Sequence, residues 1–396
     1  MRIFLAAALS GLLLSGLVPA AARAESPVKT GPVKIGMITT LSGPGAVIGN
    51  DVRDGFALAL KERGGELVGR PVELVVGDDG QKPDVAVQLT SRMLQRDGVQ
   101  LFTGVVFSNV ALAIMPAIER GGAVMISPNA GPTQFAGEKC SASFFVVSSH
   151  NDLQFEAAGA HLARLGVGKV VTMAPNYPAG RDGIKGFRRF YDPSGGAVVS
   201  EIYTAFGQLD YAAEITQIRA LKPDAVFYFY PGGMGINFAK QWAQSGAGTQ
   251  IRLFGSGYSL SQELLPAIGA DALGLPATAF WSPDLDTPVN RRFVAGFRQG
   301  YGRLPSAYAA QAYDTAIVME AAAELAGGFE PAAFRAALPN VAPDTTRGTF
   351  RFNRNHFPIQ DAYLVKVVEK DGVLTTQVEE RIFRDHKDPD AAACKL

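Results

Sequence analysis

The chain has 396 residues, 47% of them hydrophobic and 19% charged, with Lys+Arg and Asp+Glu balanced at 37 each. That length suits two lobes with sizeable cores, and the composition is ordinary for a soluble protein. No basic excess invites nucleic acid, and no charge block or low-complexity tract suggests a disordered tail.

Met1-Arg2, an apolar run from Ile3 to Val18 and then Ala22-x-Ala24 read as a secretory signal, cut near Ala24. The run is too short for a membrane anchor, and Pro19 and small residues follow it. Losing Arg2 and Arg23 from the 37 basic residues leaves 35 against 37 acidic ones, a formal charge of −2.

The first unit is a strand at 33–39, a loop of Ser42-Gly43-Pro44-Gly45 and a helix at 51–63. A strand at 71–76 and a helix at 83–96 follow, with Pro83 at the entry where helices prefer it. Then come a strand at 101–106, a helix opening at Ser108, and a strand at 123–127 ending in Pro128-Asn129-Ala130-Gly131. These strands are unbroken apolar runs, as expected of a parallel sheet covered on both faces. Their C-terminal ends then share one edge of the sheet. Ser108, Asn129, Ala130 and Gly131 would gather there beside helix N-termini, whose free N–H groups suit a carboxylate.

After an apolar run at 144–147 a second series begins. Helices are predicted at 151–165, 181–191, 211–221 and 233–244, and strands at 169–173, 198–203, 224–230 and 251–254. A repeated strand–helix series implies two similar α/β lobes. Helices at 288–301 and 308–327 are expected to return to the first lobe. Alternating runs at 349–353 and 362–368 are assigned to the second. The expected division is a signal at 1–24, lobe I at 31–146 plus 277–342, and lobe II at 147–276 plus 343–396.

The chemical motifs are sparse. Gly43-x-Gly45 with Gly49 lacks the dinucleotide spacing and reads as a turn, and no phosphate loop with Lys-Ser or Lys-Thr follows a strand. The histidines, His150, His161, His356 and His386, show no ligand spacing, so no metal site and no cofactor are expected. Ser108, His150 and Asp152 could be imagined as a hydrolase triad, but no nucleophile elbow surrounds Ser108. A helix cap or a ligand hydroxyl suits that serine better, and no enzyme is expected. His150, just past the crossing between lobes, could line the cleft. Cys140 and Cys394 form an even pair in an oxidising compartment and are expected to be bonded, tying the tail to the loop after the cradle. Among the aromatic residues near strand ends, Tyr177, Tyr230 and Tyr258 are placed to meet a ligand, and Trp281 could meet a ligand or a hinge.

The segments IGMITTLSGPGAVIGNDVRDGFALAL, GVVFSNVALAIMPAIERGGAVMISPNAG, APNYPAGRDGIKGF and DAVFYFYPGGMG resemble the leucine/isoleucine/valine-binding type of periplasmic binding protein. RGTFRFNRNHFPIQDAYL resembles the branch of that family associated with aromatic acids. The resemblance spans nearly all of the mature chain. It implies a type I periplasmic binding protein, with two Rossmann-like doubly wound lobes joined by three hinge crossovers that close on ligand. It further implies a monomer in the periplasm that delivers its solute to an ABC permease in the inner membrane. In that family the position of Ser108 and the loop at Asn129–Gly131 hold an amino acid's α-carboxylate.

Two departures bear on the ligand. Gly131 stands where amino-acid binders usually carry Thr. Pro231-Gly232-Gly233 stands where they present an acidic residue to the ammonium. A buried ammonium without a carboxylate partner is costly by several kcal/mol. The glycines would also leave room, Gly232–Gly233 would open a further helix N-terminus, and Ala179 would enlarge the site. The expected ligand is therefore an aromatic carboxylate of benzoate or phenylpropenoate type, held by Ser108, Asn129, Ala130, Gly131, Tyr177, Tyr230, Gly232, His150 and Tyr258. The alternatives are a branched-chain or other aliphatic amino acid, a secreted serine hydrolase, and a sensory rather than a transport role.

Overall fold

The computed structural model describes Met1 and residues 31–396; the expected signal segment lies outside the described residues. From Pro32 onward the chain forms one unit built on two sheets. The first half runs β1 (Val33–Thr39), α1 (Ala46–Glu62), β2 (Glu66–Leu67), β3 (Arg70–Asp78), α2 (Pro83–Gln95), β4 (Leu101–Thr103), α3 (Ser108–Arg120), β5 (Val124–Ser127) and β6 (Phe144–Val146). The second runs α4 (Leu153–Arg164), β7 (Lys169–Pro175), α5 (Pro178–Tyr191), β8 (Ala197–Thr204), α6 (Ala212–Leu221), β9 (Ala225–Tyr228), α7 (Gly233–Ser245), β10 (Arg252–Ser256), α8 (Leu265–Ile268) and β11 (Pro276–Ala279). Then come α9 (Pro288–Tyr301), α10 (Ala307–Ala326), α11 (Pro331–Ala337), the short pair β12 (Asp344–Thr345) and β13 (Gly348–Thr349), and the hairpin β14 (Gln360–Lys370) and β15 (Val373–His386).

Both sheets share one plan. The first has the order β2-β3-β1-β4-β5-β6, the second β15-β14-β11-β10-β9-β7-β8. In each, the first strand of the series sits beside the second on one side and the third on the other, so the winding reverses between β1 and β4 and between β7 and β9. Such a switch point opens a crevice outside the strand C-termini, where ligands of doubly wound folds bind. The central strands β1, β4, β5, β7, β9 and β10 are parallel and mostly buried, which explains their apolar runs, whereas β3 and β8 keep exposed polar positions. The β14–β15 hairpin extends the second sheet antiparallel to β11.

Three crossovers join the lobes: between β6 and α4, between β11 and α9, and between α11 and β14. Helices α9 and α10 pack on α1 of the first lobe. Their predicted extents, 288–301 and 308–327, match α9 and α10 to within a residue. The lobe boundaries expected from sequence meet two differences. Strand β11 still belongs to the second sheet, so the return to the first lobe follows Ala279. The run at 349–353 forms no strand of that sheet, and Thr349 pairs only with Asp344 in the separate β12–β13 pair. Instead Phe352 and Phe357 pack on Phe145 and Phe144 of β6, and the Val146 N–H donates to the His356 carbonyl. Alternation alone cannot tell which edge an aromatic-rich segment will cover.

Candidate functional site

At the facing switch points the C-terminal ends of both sheets enclose a small cavity of about 30 Å³. Val106, Phe107 and Ser108 reach it from the end of β4 and the start of α3, and Asn129 from the loop after β5. Tyr177 and Ala179 come from the turn into α5, Phe229 and Pro231 from the end of β9, and Tyr258 from beyond β10. Ser149, Asn151, Gln154, Phe155 and Tyr308 complete the lining, from the first crossover, α4 and the first turn of α10. None of these residues is charged.

Six of these lining residues are aromatic: Phe107, Phe155, Tyr177, Phe229, Tyr258 and Tyr308. Phe107 of the first lobe meets Tyr177 and Phe206 of the second edge-on, at 6.4 and 5.5 Å between centroids. Tyr177 stacks on Phe206 at 4.7 Å and Tyr258 on Tyr308 at 4.9 Å. Burial raises the phenols of Tyr177, Tyr258 and Tyr308 above their ordinary pKa, so each keeps its proton and stands as a donor.

Ser108 is the first residue of α3. Val110 and Ala111 give their N–H groups to the Phe107 carbonyl, so the N–H groups of Ser108 and Asn109 stand at the open end of the helix. The Asn151 side-chain amide donates to Ser108 Oγ at 3.1 Å and to Asp182 Oδ2 at 2.8 Å. Asp182, on α5, also accepts the Thr133 N–H at 3.1 Å, a contact between the lobes. A second lies opposite, where the Gly233 N–H faces the Pro44 carbonyl at 3.5 Å.

The structure brings Ser108, Asn129, Tyr177 and Tyr258 to this cavity and keeps other predicted residues away. Tyr230 points to the opposite face of the second sheet, among Tyr211, Tyr228 and Phe238, with its hydroxyl accepting from Thr204 at 3.1 Å. Alternate residues of a strand face opposite ways, so Phe229 takes the place expected of Tyr230. The Ala130 N–H is spent on the Val105 carbonyl at 3.2 Å. A Cβ on Gly131 would stand 2.1 Å from the Ser149 carbonyl oxygen, so this glycine admits the first crossover and not a ligand. Gly232, at φ +65°, lets the Pro44 loop approach: its Cβ would lie 3.1 Å from the Pro44 carbonyl oxygen. Trp281 donates to Asn290 at 2.9 Å and lies outside the cavity.

His150 turns away into a buried cluster. Its Nε2 lies 3.1 Å from Glu156 Oε2, which His386 Nε2 approaches at 2.7 Å from the end of β15. Burial opposes a proton on His150, but the Glu156 carboxylate outweighs it and raises the pKa to about 9. Arg189 holds the other Glu156 oxygen and contacts Asp152 at 3.3 Å.

Sequence reasoning missed Asn151, Ser149, Phe107 and Tyr308. The first two sit on a crossover whose path no periodicity reveals. Tyr308 was legible only as a helix residue.

Two further features frame the cleft. Arg347, on the third crossover, donates to the Val147 and Ser148 carbonyls of the first at 2.7 and 2.9 Å. It pairs with the buried Asp314 of α10 at 3.1 Å and lies over the Phe280 ring of the second crossover. A groove of about 690 Å³ opens between α1, α9 and the β14–β15 hairpin, with Asp51, Glu263 and Arg303 in its wall. Cys140, in the loop between β5 and β6, is bonded to Cys394 in the tail beyond β15.

Two doubly wound lobes, three crossovers and an uncharged interlobe cavity define a hinged solute-binding protein. The profile of the periplasmic binding protein family matches residues 32–372, and the chain belongs to that family. A Leu/Ile/Val-binding protein homolog of Brucella melitensis is 28% identical over 393 residues, covering 96% of this chain and 98% of the relative. An ABC-transporter solute-binding protein from R. palustris, solved with benzoate, superposes with a TM-score of 0.87 at 29% identity, covering 92% of this chain and all of that one. Another from Rhodopseudomonas palustris BisB5, solved with 3,4-dihydroxybenzoic acid, gives 0.86 at 27%, covering 90% and 99%.

Proposed function

We propose that the protein is the periplasmic receptor of an ABC importer and captures a small aromatic carboxylate by closing its two lobes around it. One observation carries this reading: the cavity is walled by aromatic rings and hydroxyls and has no acidic residue in its lining. An amino acid would bring an ammonium group with no carboxylate to offset its desolvation. A flat ring instead finds faces and edges of Phe107, Tyr177, Phe229 and Tyr258 to stack upon. Its carboxylate would meet the Ser108 hydroxyl and the open N–H groups of α3, where the helix dipole favours negative charge. Asn151 supports this, because its amide donates to Ser108 Oγ at 3.1 Å, and the longer contact of 3.3 Å from that hydroxyl to Asn151 Oδ1 is one a ligand carboxylate would replace. The solved relatives that hold benzoate and 3,4-dihydroxybenzoic acid point the same way. In this reading the protein turns nothing over, acts as a monomer, and presents its closed form to a membrane permease after export and removal of the signal segment.

The curated relatives bear the name Leu/Ile/Val-binding, which makes branched-chain amino acids the second reading. A thermal-shift panel decides between them. Ligand at about 100 times its Kd stabilises the bound form by about 2.7 kcal/mol. Benzoates and phenylpropenoates should raise the melting temperature, and leucine, isoleucine and valine should not. Stabilisation by the amino acids alone would refute the aromatic-acid reading.

A further inference from the structure

We propose that His150, Glu156 and His386 form a binding site for a zinc-like divalent metal ion. The three come from separate elements: His150 from the first crossover, Glu156 from α4 and His386 from the end of β15. Their donor atoms, two imidazole nitrogens and one carboxylate oxygen, all lie within 4.8 Å of one another. Both Nε2 atoms converge on the same Glu156 oxygen, at 3.1 and 2.7 Å. Ligands about 2.0–2.1 Å from a tetrahedral zinc ion stand about 3.3 Å apart, so small side-chain adjustments would seat the ion between them. Two imidazoles with one carboxylate suit zinc and its neighbours, whereas calcium and magnesium prefer oxygen alone.

Acidic side chains surround the site. Asp152 and Asp388 are buried close to Glu156, and Asp390 stands at the edge, 3.6 Å from Arg189. Arg189 is the cation that contacts Glu156, Asp152 and Asp390. Asp152 Oδ1 is buried without a hydrogen-bond partner. Arg189 fixes the Glu156 oxygen that does not face the histidines, the kind of outer support that metal-bound carboxylates receive. The His386 side chain keeps 13% of its surface exposed, which gives an entry route and a solvent-facing fourth position. An ion here would pin the end of β15 and the first crossover to α4, whatever solute the cleft binds.

The test uses the untagged mature chain, freed of metal by chelation and titrated with zinc. We expect uptake of one ion per chain, a higher melting temperature, and, with cobalt in place of zinc, the visible absorption of a low-coordinate imidazole site. His386→Gln and His150→Gln each keep a hydrogen-bond donor towards Glu156. Each should weaken zinc binding by more than about tenfold, the scale of losing even an outer partner. Their metal-free melting should stay close to that of the metal-free parent. If the parent takes up no zinc, or both variants bind it as tightly as the parent, the cluster is a proton-sharing ion pair and the proposal fails.

Discussion

Ser108 shows how little a side chain must do when the backbone around it is already arranged. Its hydroxyl stands at the mouth of α3 and is oriented by Asn151, so Ser108→Ala removes one donor and leaves the helix intact. A hydrogen bond to a charged group contributes about 1.5–3 kcal/mol. Titration calorimetry should therefore show benzoate-type ligands binding roughly ten- to a hundredfold more weakly, with the ligand-free melting temperature nearly unchanged. Glu263 presents the opposite case. Both its carboxylate oxygens are shielded from solvent, and burial together with the Asp51 charge pushes its pKa from 4.5 up to about 8. Between those values the folded chain holds a proton that the unfolded chain has released. Stability should fall as pH rises through that window, by at most about 1.4 kcal/mol per pH unit. Glu263→Gln copies the protonated form and should flatten this slope in denaturant titrations from about pH 5 to 8.

At the scale of elements, Arg347 gathers the three crossovers. It grips the carbonyls of the first, stacks on Phe280 of the second and stands on the third, with the fully buried Asp314 as its partner. Arg347→Ala would strand the Asp314 carboxylate, and losing one member of a buried pair costs about 3–5 kcal/mol. Chemical denaturation should register a loss of that size. Little of this was legible in the sequence. The strand and helix order was, because fully buried parallel strands leave unbroken apolar runs and Pro83 and Pro288 mark helix entries. Ser108, Asn129, Tyr177 and Tyr258 were found because they follow strand C-termini. Tyr230 was misplaced because four consecutive aromatic residues, Phe227 to Tyr230, hide the alternation that decides which ring faces the cleft. Gly131 was read as lost bulk, although its space is filled by another stretch of backbone. His150, Glu156 and His386 could not be joined by spacing, because a crossover, a helix and a terminal strand bring them together.

Across the whole molecule, the facing sheets turn one topological rule into a mechanism. Each lobe alone offers half a crevice at its switch point, and only the pair encloses the cavity. A ligand that touches Phe107 on one lobe and Tyr177 and Phe229 on the other shifts the balance towards closure by its differential contacts, which is the only route by which binding can move the lobes. The tail adds a constraint of another kind. From the end of β15, in the second sheet, it runs back to the first lobe, where Cys394 is bonded to Cys140 across 254 positions of sequence. The chain from Cys140 to Cys394 is therefore a covalent ring that contains all three crossovers. A protease cutting any one of them would open the ring without releasing a fragment, and the two lobes would stay one molecule until the disulfide was reduced.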